Sequence, residues 1–231
     1  MRQIAISDIH GCLKTFDALL DMIGLTASDE LYLLGDYIDR GPNSKGVIDQ
    51  IWALQAGGYQ VFCLRGNHEE LLLNATNGRP SAQAMWLNNG GDSTMQSFGL
   101  GPEDPPGDIP GNYLDFLGGL PYYYEPEGYF LVHAGLDFRL PDPLEGLAAM
   151  LWIRDWYSSL DKDWLRGRVI VHGHTPLYRP LIQNQLNHLS EFPVIDIDAG
   201  CVYSLMYLNN MCAFDLASRQ LFFQKNIDIH E

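Results

Sequence analysis

The sequence predicts an α/β fold in a single domain, with a largely parallel sheet and helices on its faces. Three observations carry that expectation. Apolar, β-favouring runs recur at Gln3–Ser7, Leu31–Leu34, Tyr59–Leu64, Tyr129–Val132, Val169–Val171 and Val194–Ile197. Stripes at helical spacing separate the early runs, which is the signature of a βαβαβ start. A late pair, Met211–Leu216 and Leu221–Gln224, is joined by Ala217-Ser218-Arg219 and reads as a hairpin. With 231 residues, 46% of them hydrophobic, the chain can fill one large core.

The helices come next in chain order. Leu13, Phe16, Leu19, Leu20 and Ile23 form the first helical stripe, and Gly24 stops it. Val47, Ile48, Ile51, Trp52 and Leu54 form the second, opened by Pro42 and closed by Gly57-Gly58. A small helical insertion is expected over about 68–98. The acidic, Pro/Gly-rich stretch GLGPEDPPGDIPG (99–111) is expected to be a surface loop. Trp86 and Trp152 are placed in the core. Tyr122-Tyr123-Tyr124 either packs its rings in a strand or lines a groove.

Charge narrows the partners. The formal net charge of -15 should repel nucleic acid and anionic membranes. It favours basic partners over acidic ones, with salt masking part of the effect. No apolar run of roughly 18 residues indicates a membrane span. The first strand begins a few residues after Met1, which leaves no room for a signal peptide. Cys12, Cys63, Cys201 and Cys212 are scattered and form no CxxC pair. They read as free thiols acting as small hydrophobes, and the expected compartment is the cytoplasm.

The turns at the strand ends are more specific. The first run ends in SDIHG, the second in GDYIDRG, the third in RGNHE, the fourth in VHAGL and the fifth in VHGHTP. Asp, His, Asn and Arg are thus released into Gly-rich turns at five successive strand ends. In α/β sheets ligands bind outside the carboxyl ends of strands. Carboxylates, an amide oxygen and imidazoles suit divalent cations, and the absence of cysteine from these turns speaks against a structural zinc site. Asp8 and His10, two apart on an extended chain, face the same side. Charges at the lip of a core become tolerable when cations compensate them.

These five blocks, in this order, resemble the signature of the phosphoprotein phosphatases of the calcineurin-like metallophosphoesterase superfamily. WLNNGGDST (86–94) and MLWIRDWY (150–157) are similar to its small bacterial and phage serine/threonine branch. The resemblance covers about residues 3 to 203. It implies a sandwich of two mixed β-sheets flanked by helices. It also implies two divalent metal ions, Mn²⁺ first and Fe or Zn²⁺ as alternatives. By position, Asp8, His10 and a bridging Asp36 resemble the ligands of one metal. Asn67, His133 and His174 resemble the remaining ligands of the other. His68 resembles the general acid and Asp39 its partner. Arg40 and Arg154 resemble the phosphate grips, with Arg65 and Asn67 as further candidates. His172 is left to support or packing, and His188 and His230 to the surface. Asp39 could also cap the helix after Pro42.

The implied reaction is in-line attack on a phosphate monoester by hydroxide held at the metals, with His68 protonating the leaving oxygen. A serine/threonine protein phosphatase is the first expectation. A hydrolase of dinucleoside tetraphosphates or other small phosphates is the second. A non-catalytic scaffold is the third, and the intact ligand set opposes it. The chain departs from the family at Ser7, where glycine is common. It departs again at Ser204-Leu205-Met206-Tyr207-Leu208, where a glycine-and-lysine turn is usual, and this gives a more apolar rim.

Overall fold

The computed structural model describes residues 1–205 and 207–229. His230 and Met206, and with it part of the divergent rim segment, lie outside the described residues. The elements run β1 (Gln3–Ile6), α1 (Leu13–Ile23), β2 (Glu30–Leu33), α2 (Ser44–Ala56), β3 (Gln60–Cys63), α3 (Asn67–Ala75), α4 (Pro80–Trp86), α5 (Asp92–Ser97) and α6 (Gly111–Gly118). They continue β4 (Tyr123–Tyr124), β5 (Tyr129–Val132), α7 (Leu147–Trp152), α8 (Lys162–Leu165), β6 (Val169–His172), α9 (Arg179–Asn187), β7 (Val194–Asp196), β8 (Asn210–Asp215) and β9 (Gln220–Lys225).

Two mixed sheets result. One has the order β3-β2-β1-β8-β9, and the other β4-β5-β6-β7. The expectation of a mainly parallel sheet holds for β1–β3 and for β5–β7. The late hairpin then adds β8 and β9 antiparallel beside β1, and β4 adds antiparallel to β5. Alternation along each strand explains the layering. Ile4 and Ile6 face α1 and α2, while Ala5 faces the other sheet. Leu31 and Leu33 pair likewise against Tyr32. In the second sheet Leu131, Val169 and Val171 meet the first sheet, and Phe130, Val132 and Ile170 pack under Met150 and Trp156. Strands β1, β2, β5, β6, β7 and β8 are therefore largely buried on both faces, while the edge strands β4 and β9 are half-exposed.

Helix ends are set by local chemistry. Gly24 takes the left-handed conformation that closes α1. Asn43 caps α2 by accepting from the Gly46 N–H, so the capping role considered for Asp39 falls to Asn43. Between α4 and α5 the chain kinks at Gly90, whose φ of 100° breaks the helix. The 99–111 stretch is irregular apart from a 3₁₀ turn at Pro106–Asp108. Among the described residues no helix is long and apolar enough to cross a membrane.

The tyrosine run packs. Tyr123 stacks on Phe130, Tyr124 meets Tyr32 and Phe62, and Tyr122 lies against Arg65. Trp86 is fully buried as expected. Trp152 is not: it is 43% exposed, because it is the last residue of α7 and stands at the lip of the sheets. All four cysteines are buried free thiols.

Candidate metal centre

The parallel strands of both sheets end on the same side. Their turns are laced together: His10 N–H donates to Asp36 O (2.8 Å), Gly11 N–H to Tyr37 O (2.8 Å) and Gly173 N–H to His133 O (2.8 Å). Close approach needs glycine in two places. A side chain at Gly66 would strike the Asp36 carboxylate, and one at Gly173 would strike the side chains of Ser7 and Asp8.

Asp8, His10, Asp36, Asn67, His133 and His174 are all buried around this meeting point. The two oxygens of Asp36 face different neighbours. Oδ2 lies 3.5 Å from His10 Nε2 and 4.0 Å from His68 Nε2, and Oδ1 lies 3.5 Å from His133 Nε2. Two three-residue groups therefore share Asp36: His10, Asp36 and His68 on one side, and Asp36, His133 and His174 on the other. Asn67 Oδ1 belongs with the second group, 2.9 Å from His133 Nε2 and 2.8 Å from His174 Nδ1. Asp8 closes into neither group. Its Oδ2 accepts from the His174 N–H (3.1 Å) and from the Ser7 hydroxyl.

The donor set fits cations. His10 Nδ1–H donates to Ile38 O (2.9 Å) and His133 Nδ1–H to Leu34 O (2.9 Å), so each presents an Nε2 lone pair to the cluster. The lone pair of His133 then faces the Asn67 oxygen, acceptor against acceptor. His174 Nε2 is buried with no hydrogen-bond partner. Burial pushes His10, His133 and His174 down, so these imidazoles are neutral, as ligands must be. Burial, with the neighbouring Asp8 charge, pushes Asp36 up. That is the mark of an acidic cluster built for an outside positive charge.

His68 is the first shoulder of this centre. Its Nδ1 lies 2.7 Å from Asp39 Oδ2. Asp39 is fully buried and also accepts from Thr94 Oγ1 (2.7 Å) and the Trp86 indole N–H (3.0 Å). Burial pushes the Asp39 carboxyl up to about 8 and His68 down to about 2. The pair thus keeps a proton between Asp39 and Nδ1, which leaves an N–H at Nε2. On the open side, Arg40 donates to His10 Nε2 (2.9 Å) and Tyr203 OH (3.4 Å). Arg154 donates to His174 O (3.2 Å) and Thr175 Oγ1 (3.1 Å). Both arginines are exposed. Arg65 is instead engaged by Glu70 (3.1 Å), Tyr122 (3.2 Å) and Gly118 O. His172 lies behind the cluster, with Nε2 on Tyr157 OH (2.9 Å).

Three residues have roles at this centre that the sequence did not assign. Glu69 accepts from the N–H groups of Asp36 (2.9 Å), Tyr37 (2.9 Å) and Gly66 (2.8 Å), and so ties two ligand-bearing loops together. Burial raises its carboxyl to about 7, against the pull of those donors. Its place three residues after Gly66 is the capping position of a helix start, a signal the sequence does contain. Thr94 and the indole of Trp86, the two ends of WLNNGGDST, hold Asp39; that block stands out in the sequence, but its contact with Asp39 does not. Backbone strain concentrates here as well: Asp8, His10, Asp36, Asp39, Arg40 and His174 all have positive φ, between 46° and 73°.

Comparison with known proteins agrees with this geometry. The chain is 26% identical over 226 residues to the asymmetrical bis(5'-nucleosyl)-tetraphosphatase PrpE of Bacillus cereus, covering 88% of this chain and 87% of that one. It is 33% identical over 196 residues to a symmetrical bis(5'-nucleosyl)-tetraphosphatase of Dechloromonas aromatica, covering 76% of this chain and 65% of that one. In fold it is similar to a protein serine/threonine phosphatase from Saccharomyces cerevisiae, with a TM-score of 0.67 and 12% identity over 100% of this chain and 81% of that one. The family model for calcineurin-like phosphoesterases matches residues 1–204, and the chain belongs to that family.

Proposed function

We propose that this chain hydrolyses dinucleoside polyphosphates at a two-metal centre, with the phosphoprotein reading second. Membership of the family makes it a metal-dependent hydrolase of phosphoric esters. The observation that carries the substrate class is near full-length similarity, 88% of this chain, to a bis(5'-nucleosyl)-tetraphosphatase. The first expectation from sequence, a serine/threonine protein phosphatase, rests on the motif blocks with WLNNGGDST and MLWIRDWY, and the likeness to the yeast enzyme adds support for the fold alone. One feature keeps it as the second reading: Arg40 and Arg154 stand exposed at an open lip, where a phosphate carried on a protein can reach them.

By the motif, Asp8, His10 and Asp36 would hold one cation, although Asp8 Oδ2 here accepts from Ser7 and the His174 N–H, and Asp36, Asn67, His133 and His174 would hold the other. When bound, two divalent cations would polarise the phosphoryl oxygens and make water nucleophilic at neutral pH. Mn²⁺ is the proposed metal, with Fe or Zn²⁺ as alternatives by donor type. Arg40 and Arg154 grip the phosphate oxygens with their forked donors. Asp36 holds its position through the His68 N–H, which donates to Oδ1 (3.0 Å). His68 delivers a proton from Nε2 to the leaving oxygen, and its Nδ1 takes up the proton shared with Asp39. In a dinucleoside polyphosphate that leaving oxygen belongs to a phosphate, which departs more easily than an alkoxide.

Hydrolysis of diadenosine tetraphosphate, a phosphothreonine peptide and p-nitrophenyl phosphate, measured in parallel on stripped protein resupplied with Mn²⁺, tests this. Preferred cleavage of the dinucleotide is expected. Preferred cleavage of the peptide would move the function to the second reading. Silence on all three with metals bound would leave only a scaffold.

A further inference from the structure

A groove leaves the metal centre along α3 and ends against α4. Its volume is about 370 Å³, and its walls include Trp152, Met85, Arg79, Asn74, Asn77 and Glu70. That volume lies near the lower end of the range for small-molecule sites, about 300–1,000 Å³. The groove starts at the chemistry: the Trp152 ring stands 6.3 Å from the His174 ring, edge to face. It then follows α3 away from Asn67, roughly 10 Å to Asn74 at 1.5 Å per residue.

The lining suits one kind of occupant. Trp152 and Met85 are 43% and 57% exposed, two large apolar faces left open beside a polar site. An open indole stacks flat heterocycles, and a thioether packs on ring edges. The amides of Asn74 and Asn77 offer the paired donor and acceptor that read a base edge. The one acid in the groove is already neutralised, since Glu70 is paired with Arg65 (3.1 Å) and accepts from Asn74 (3.1 Å). Arg79 adds a cation that meets no carboxylate among the described residues. An aromatic face, side-chain amides, a spent carboxylate and a guanidinium without a carboxylate partner together match a nucleoside carrying phosphate.

We propose that this groove is a nucleoside subsite. It would hold one nucleoside beside the scissile phosphate, with the base on Trp152 and Arg79 at the outer end of the groove drawing the anionic nucleotide in. The proposal rests on the dinucleoside polyphosphate reading and adds the residues that would confer that specificity.

The test compares diadenosine tetraphosphate with p-nitrophenyl phosphate for the wild type, Trp152→Ala, Trp152→Phe and Arg79→Glu. The readout is the ratio of the two kcat/KM values. Stacking predicts a fall in that ratio of about tenfold or more for Trp152→Ala, carried mainly by the dinucleotide KM, with Trp152→Phe recovering most of it. Arg79→Glu should lower the ratio too. Quenching of tryptophan fluorescence by adenosine monophosphate, read on metal-free protein, should weaken in Trp152→Ala. An unmoved ratio in an enzyme that cleaves the dinucleotide would overturn the subsite and leave the proposed function standing. Equal losses on both substrates would also overturn it, making Trp152 a support for His174. A wild type that turns over a phosphopeptide and no dinucleotide would sink both.

Discussion

Glu69→Ala is the sharpest perturbation the structure offers, because Glu69 touches no substrate in the proposed reaction yet organises two ligand loops. Its carboxylate is fully buried and accepts three backbone N–H groups, from Asp36, Tyr37 and Gly66. Alanine leaves all three donors buried and unpaired. Each orphaned group costs about 1–3 kcal/mol, so the sum is roughly 3–9 kcal/mol before relaxation. Burying the carboxylate has its own cost, visible in its raised pKa, and removing it returns part of that sum. A net loss of about 3–5 kcal/mol is expected, a large share of the about 5–15 kcal/mol that holds a domain together. The assay is urea unfolding of metal-free protein at pH 8, where the carboxyl is ionised. Glu69→Gln, which keeps one acceptor oxygen, should lose less. A loss below about 1 kcal/mol for the alanine variant would refute the reasoning, since it would mean that water or a shifted loop satisfies the three donors freely.

Three further outcomes are expected. His68→Ala should retain metal by elemental analysis and lose roughly 10²–10⁴-fold in turnover of an alkyl phosphate ester; unchanged turnover would remove His68 as the acid. Asp36→Asn should weaken both metals together, because its two oxygens face different groups; loss of a single metal would contradict bridging. Asp29→Asn should change how stability depends on acid. Hydrogen bonds from Arg2, chiefly, hold the Asp29 carboxyl below its ordinary value. Its contribution is therefore present above about pH 4 and fades as pH falls through the depressed folded-state value, so the gap in urea midpoint between wild type and variant should narrow from pH 6 to pH 3.

The strand ends were legible because their chemistry is local. SDIHG, GDYIDRG, RGNHE, VHAGL and VHGHTP each pair an apolar run with polar residues in a Gly-rich turn, and the fold only has to lay the strands side by side to gather them. The early helices were legible for the same reason, through Phe16 and Leu19 or Val47 and Ile51 at helical spacing. What escaped depends on distance. Thr94 reaches Asp39 across 55 positions, and Trp86 reaches it across 47. Neither contact has a periodicity to betray it. Trp152 misled because a tryptophan in MLWIRDWY looks like core until α7 is seen to end under it. α9 was missed because only Ile182 of its residues is buried, too few to mark a stripe.

The strained backbone bears on why this arrangement persists. Of nine non-glycine residues with positive φ among those described, six are Asp8, His10, Asp36, Asp39, Arg40 and His174. Each costs about 1–2 kcal/mol relative to ordinary backbone, so a cluster of six is a real burden on a marginally stable chain. Glycine would relieve every one of them and cannot supply an oxygen, an imidazole or a guanidinium. The strain is held by the cross-loop hydrogen bonds, by Glu69 and by the packed glycines Gly66 and Gly173, which let the loops approach. Cations bound at the centre would draw the facing oxygens and imidazoles together and offset part of the cost. Stability without metal and affinity for metal are therefore linked: a substitution that loosens these loops, such as Glu69→Ala, should lower both, even though Glu69 belongs to neither metal-binding group.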